Sequence, residues 1–183
     1  MIRRIIIIVM TIMAFNTATY AADEAVKTPV FGLIETVELT EHGVILNAKM
    51  DTGADNSSLN AIQIEEYDKE GQNRVRFKVP LRKGNKVKLI SFDLPVKRHA
   101  LIKTRDQEGG DGNGKSPIQR PVIVLDLCIG DKILSVQVNL ADRQNFKYHL
   151  LIGRRTIKKY HAMIDPGNEH LTVLNCPTHD KHA

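Results

Sequence analysis

Apolar residues come in short bursts along this chain, and most bursts alternate with polar residues at every second position. That period puts one side of an extended segment in a core and the other in water. Residues 30–39 read as a first strand with a glycine near its start, and residues 44–50 as a second. Ser57 to Ile62 leads into a short third strand. Val75-Arg76-Phe77-Lys78-Val79 alternates apolar and basic residues, and residues 87–90 and 92–94 read similarly. Val122 to Ile129 is the most apolar strand, Gly130-Asp131 turns it, and residues 133–140 run back as a hairpin. His149 to Ile152 is a further strand, followed by Gly153 and a short basic helical turn up to Tyr160. Residues 162–165 and 170–174 read as a last hairpin around Pro166-Gly167. Many short strands, one short helix and regular Gly or Pro turns predict an all-β barrel or sandwich.

The head of the chain departs from this pattern. Arg3-Arg4 precedes the apolar run 5–15 and the small residues Ala18 to Ala22. It reads as a secretory signal peptide covering residues 1–21, cleaved after Ala21. Residues 22–30 then form a linker, 31–175 one domain and 176–183 a loose polar tail. The expected location is across an inner membrane, in a periplasm, with no membrane attachment after cleavage. The leader removes two arginines and no acidic residue, so the net charge falls from +5 to +3. That balance, with no Trp and 5% aromatic residues, offers nucleic acid little to hold. In an oxidising compartment Cys128 and Cys176 either pair or stay as two thiols.

Candidate chemistry concentrates where the second strand ends. Val44 to Met50 climbs to Asp51, and Thr52-Gly53 turns the chain. A hydroxyl that can bond the local backbone and a glycine free in conformation would hold the carboxylate on a tight, outward-facing turn. The glycine-rich run 109–114 reads as a mobile loop, either a flap over the site or a surface insertion. It lacks the spacing of a phosphate-binding loop. The histidines are scattered, with only His179 and His182 close together, so no metal is expected and no cofactor is implied.

About a hundred residues after Asp51-Thr52-Gly53-Ala54-Asp55 stands Leu151-Ile152-Gly153-Arg154. With this pair the chain resembles the retropepsin-like aspartic proteases, and within them the bacterial branch labelled ATP-dependent zinc proteases. Further matching stretches are Ala48 to Met50, Ser58 to Ala61, Arg120 to Val122, Leu140 to Arg143 and Ile164-Asp165. The resemblance implies a closed retropepsin-like barrel with a short helix after Leu-Ile-Gly-Arg. It implies Asp51, Thr52 and Gly53 as the catalytic turn, and Ala54, Asp55, Arg120, Asp142, Arg143, Gly153 and Arg154 as residues that support the turn or line the substrate groove. Asp55 is expected to pair with Arg154.

One carboxylate cannot run this reaction. An aspartic protease divides one proton between two carboxyl groups: the charged one activates water and the neutral one polarises the scissile carbonyl. The chain has one Asp-Thr-Gly, so the expected enzyme is a homodimer with an Asp51 from each copy. Asp165, before Pro166-Gly167, is a weaker candidate for a second carboxylate in the same chain. The substrate class is a peptide or protein. The branch's association with peptide ligases and glutamate tails suggests an acidic one, with Lys97, Arg98, Lys103 and Arg105 as cationic walls. The alternatives are a barrel that binds peptide or protein without cutting it and, less well supported, a small-ligand barrel.

Overall fold

The computed structural model describes residues 28–84, 86–102 and 118–177. The leader, the glycine-rich run 109–114, Lys103, Arg105, His179 and His182 lie outside the described residues. The elements in chain order are β1 (Val30–Gly32), β2 (Ile34–Leu39), β3 (Val44–Asp51), β4 (Ser57–Asn60), β5 (Ile62–Lys69), β6 (Gln72–Lys83) and β7 (Lys86–Pro95). They continue as β8 (Arg98–Ile102), β9 (Ile118–Ile129), β10 (Lys132–Ala141), β11 (Leu150–Gly153), α1 (Arg154–Lys159) and β12 (Met163–Asp165). Among the described residues no helix is long and apolar enough to cross a membrane.

Strands β10, β4, β11, β3, β2 and β9 bond in that order, and β9 pairs back onto β10. The result is a closed six-stranded barrel of mixed direction, as the strand pattern and the resemblance led us to expect. β3 runs parallel to β11, and β4 parallel to β10; the other pairs are antiparallel. Inward positions alternate along each strand. Ile123, Leu125, Leu127 and Ile129 on β9 meet Ala48 and Met50 on β3, Leu59 on β4, and Leu150 and Ile152 on β11 in one buried core. Burying each such side chain is worth roughly 1.5–3 kcal/mol, so the closed wall is held chiefly from inside.

A second sheet, β5-β6-β7, stands against the barrel. Its inner face carries Val75, Phe77, Val79 and Phe92, with the Phe77 and Phe92 rings stacked at 5.0 Å. The two short segments read separately at 87–90 and 92–94 are one strand, because β6 pairs with β7 without interruption from Arg74↔Pro95 to Lys83↔Lys86.

Two expectations need correction. The first strand is broken at Leu33: β1 belongs to a two-stranded sheet with β12, and β2 belongs to the barrel. Gly32 sits so close to the Asn168–Glu169 backbone that an added methyl would lie 2.7 Å from the Asn168 carbonyl oxygen. The last hairpin does not form either. β12 pairs in parallel with β1, and residues 168–175 run along β2 as a strap. The cause is Glu35, fully buried, whose carboxylate accepts from Gly32 N (2.6 Å), Leu171 N (3.0 Å), Thr172 N (3.2 Å) and the Thr172 hydroxyl (2.7 Å). A side-chain acceptor replaces the partner strand. Cys128 and Cys176 form a disulfide that fastens the end of the strap to β9, which resolves the open question of the two thiols.

Candidate active site

Asp51 is the last residue of β3, and Gly153, the last of β11, stands beside it in parallel register. The turn that follows is closed by Ala54 N–H donating to Asp51 O (3.3 Å) and by Gly53 N–H donating to the Asp51 side chain (3.2 Å). Thr52 and Gly53 are exposed and Asp51 half-buried, so the carboxylate sits at the surface on a braced turn. Gly53 does not use the left-handed backbone conformations that glycine permits; among the described residues Gly43, Gly71, Gly84 and Gly130 do.

The bracing comes from the segment after β11. Arg154 N–H donates to Ala54 O (2.8 Å) and Arg155 N–H to Asp55 O (3.3 Å). The Arg154 guanidinium and the Asp55 carboxylate form an ion pair, both about half exposed, so it orients more than it stabilises. Beneath, the buried Ser57 hydroxyl accepts from Gly153 N–H (3.1 Å) and bonds the Thr156 hydroxyl (2.8 Å). Gly153 is required for space: a methyl there would lie 2.5 Å from the Asn56 carbonyl carbon and 3.0 Å from Ala54 O.

Arg120 and Arg143 are both half-buried cations. Arg120, on β9, reaches Asn139 Oδ1 at 3.5 Å, and the Asn139 side chain also takes the Ser58 hydroxyl (3.1 Å) and donates to Ser57 O (2.7 Å). Arg143 follows β10; its N–H donates to Asn60 Oδ1 (2.6 Å) and its guanidinium lies over the Phe146 ring at 4.4 Å. Burial lowers the pKa of both guanidiniums. The Arg120 charge lowers Arg143 further, and the Asp51 charge partly offsets this. The mutual repulsion and the pull from Asp51 put the three groups in one electrostatic neighbourhood. Asp142, next to Arg143 in the chain, is exposed and caps its own turn, accepting from Gln144 N (3.0 Å) and Gln144 Nε2 (3.2 Å). Asp165 likewise accepts from Gly167 N (2.9 Å) and Asn168 Nδ2 (2.8 Å).

His149 joins the neighbourhood without having been singled out in the sequence. Asn60 Oδ1 is taken by Arg143 N–H, so Asn60 Nδ2 donates to His149 Nδ1 (2.9 Å) and the ring proton belongs on Nε2. Burial, then Arg82 and Arg143, push the His149 pKa below its usual value. Arg82 is brought there by the β6 arm, and a cleft of about 450 Å³ opens between Pro80, Arg82, Asn47 and His149. Its only signal in the sequence is a histidine directly before Leu150-Leu151-Ile152-Gly153. Lys97 does not line this cleft; it lies in a groove with Gln72, Pro95 and Val124.

The fold agrees with what known proteins show. The sequence model of the RimB-like family, described as the retropepsin-like aspartic endopeptidase RimB, matches residues 30–173. The chain belongs to that family. Solved and curated relatives widen the picture of RimB-like proteins. A crystal structure of a Legionella pneumophila protein of unknown function is similar over 79% of this chain and 98% of that one, at 32% identity and a TM-score of 0.64. A probable alpha-L-glutamate ligase of Desulfotalea psychrophila is 27% identical over 139 residues, 75% of this chain and 28% of the ligase. One from Shewanella pealeana is 27% identical over 122 residues, 66% of this chain and 24% of the ligase. The chain thus spans about a quarter of the length of these curated relatives.

Proposed function

We propose that this RimB-like chain is an exported aspartic endopeptidase, active as a homodimer in which each copy presents Asp51. The observation that carries the reading is the Asp51-Thr52-Gly53 turn itself: exposed at its tip and anchored from behind by Gly153, Ser57 and Arg154. A rigid, accessible carboxylate is what a second copy needs to meet. Two carboxyl groups roughly 3 Å apart cannot both be charged (aspartic proteases are the standard case), so one holds the proton. The charged member takes a proton from a water between them, the oxygen adds to the scissile carbonyl, and the neutral member hydrogen-bonds the developing oxyanion. Return of the proton to the amide nitrogen releases the products, with no covalent enzyme intermediate.

Arg120 and Arg143 support a substrate with carboxylate side chains next to the scissile bond, since two half-buried guanidiniums gain from a bridging anion. The homologous segment inside probable alpha-L-glutamate ligases supports the same class. The leader supports export to the periplasm.

The test is a digest of a peptide library by wild type and Asp51→Asn, with sedimentation of both. The expected result is cleavage next to acidic residues, lost roughly 10²–10⁴-fold in the variant, with both proteins dimeric at micromolar concentration. Equal cleavage by both proteins overturns the assignment. A second reading, a barrel that binds peptide without cutting it, is favoured by the single Asp-Thr-Gly in the chain; a stable monomer that binds library peptides intact would establish it.

A further inference from the structure

Beside the β9–β10 hairpin, where α1 packs against β10, lies a groove of about 270 Å³. Asn56, Gln137, Ser135, Arg155, Thr156 and Lys159 form its polar wall. None of Asp51, Arg120 and Arg143 lines it.

The wall offers donors far more than acceptors. Arg98 donates from Nε to Gln137 Oε1 (2.9 Å) and from Nη2 to Asn56 Oδ1 (3.1 Å). A guanidinium has nothing to accept with, so each amide turns its oxygen to Arg98 and its NH₂ group away from it. Arg155 and Lys159 add two exposed cations, and Lys159 also donates to Ser135 O. Asp126, opposite Ser135 across the hairpin, takes the Ser135 hydroxyl and is not among the lining residues. Two positive charges and two amide N–H₂ groups around a small volume fit an oxyanion.

We propose that this groove binds a small oxyanion, phosphate or carboxylate, between Arg155, Lys159 and the amides of Asn56 and Gln137, as an effector site. Its walls belong to the frame of the Asp51 turn. Arg155 N–H holds Asp55 O (3.3 Å), and the Thr156 hydroxyl bonds Ser57, which holds Gly153 N–H. An anion joining α1 to Asn56 ties the two halves of that frame together. The effect on turnover rests on the peptidase reading; the binding does not.

The test uses the full chain and its thermal unfolding, followed in inorganic phosphate and separately in succinate, each against NaCl of equal ionic strength. A bound anion raises the midpoint saturably. We expect saturation in at least one of the two anions, and the pair of arms identifies which oxyanion fills the groove. Arg155→Ala and Lys159→Ala are surface changes and should each move half-saturation about tenfold higher, the loss of one charge-assisted hydrogen bond. Asp51→Asn should respond as wild type does, which separates this site from the proposed catalytic one. A rise matched by NaCl, or an unchanged response in the Arg155→Ala/Lys159→Ala double variant, overturns the proposal.

Discussion

Gly153 stands beside Asp51 across the parallel β3–β11 pair, and a methyl on it would lie 2.5 Å from the Asn56 carbonyl carbon. Both neighbours that a side chain would strike, Asn56 and Ala54, are backbone of the segment that follows Asp51, so relief must come from moving that segment. Gly153→Ala should cost about 1–3 kcal/mol and lower the thermal midpoint by several degrees. Gly53→Ala is the contrast: its methyl would meet only Asp51 Oδ1, at 3.5 Å, and stability should stay near wild type. Equal midpoints for the two variants would show that the close approach at Gly153 relaxes freely.

Glu35 takes the place of a strand for the chain's last segment. Glu35→Gln keeps the shape but turns an N–H₂ toward backbone donors, leaving buried N–H groups unpaired. A loss of about 2 kcal/mol or more in urea unfolding is expected. Limited proteolysis should cut the variant first after Pro166, because the strap loses its anchor there. Cleavage confined to other loops would contradict this.

The Cys128–Cys176 bond closes a loop of 48 residues. In the chain-entropy account a loop of that size restrains the unfolded chain by roughly 4 kcal/mol, with 2–4 typical in practice. Unfolding in a reducing agent, or of the Cys128→Ser/Cys176→Ser variant, should show a stability drop in that range. Little change would mean that Glu35 alone secures the strap.

Protonation of His149 is disfavoured in the folded chain, so its folded pKa lies below the 6.5 usual for histidine. The unfolded chain therefore binds the proton first as pH falls. The stabilisation that this residue contributes is fully present above 6.5 and is lost as pH drops through the lower folded value. Imidazole NMR should show a depressed titration that rises in Arg82→Ala, since that cation faces the ring. A titration unmoved by that substitution would leave burial and Arg143 as the causes.

Much of this architecture is visible in the sequence because it is written in short-range terms. Period-two alternation marks the barrel strands, and the family resemblance implies that the apolar-Gly-Arg step at 151–154 partners the Asp51 turn. The Asp55–Arg154 ion pair, implied by the same resemblance, is present in the structure. What was hidden is side chain acting as scaffold. Glu35 reads as the polar position of an alternating strand, yet it is fully buried and decides where residues 168–175 lie. Asn60 and His149 meet only through the pairing of β4 with β11. Alternation says which way a residue faces; it does not say what will come to cover it.

The β3–β11 pairing also sets a schedule for synthesis. The strand that flanks Asp51 is encoded about a hundred residues downstream of it. A ribosome-bound chain therefore carries Asp51 on an unclosed sheet until nearly the whole domain has emerged. Contacts so distant in sequence form late and slowly. Whatever the finished molecule does, its unfinished form has no closed barrel and no β3–β11 frame behind Asp51.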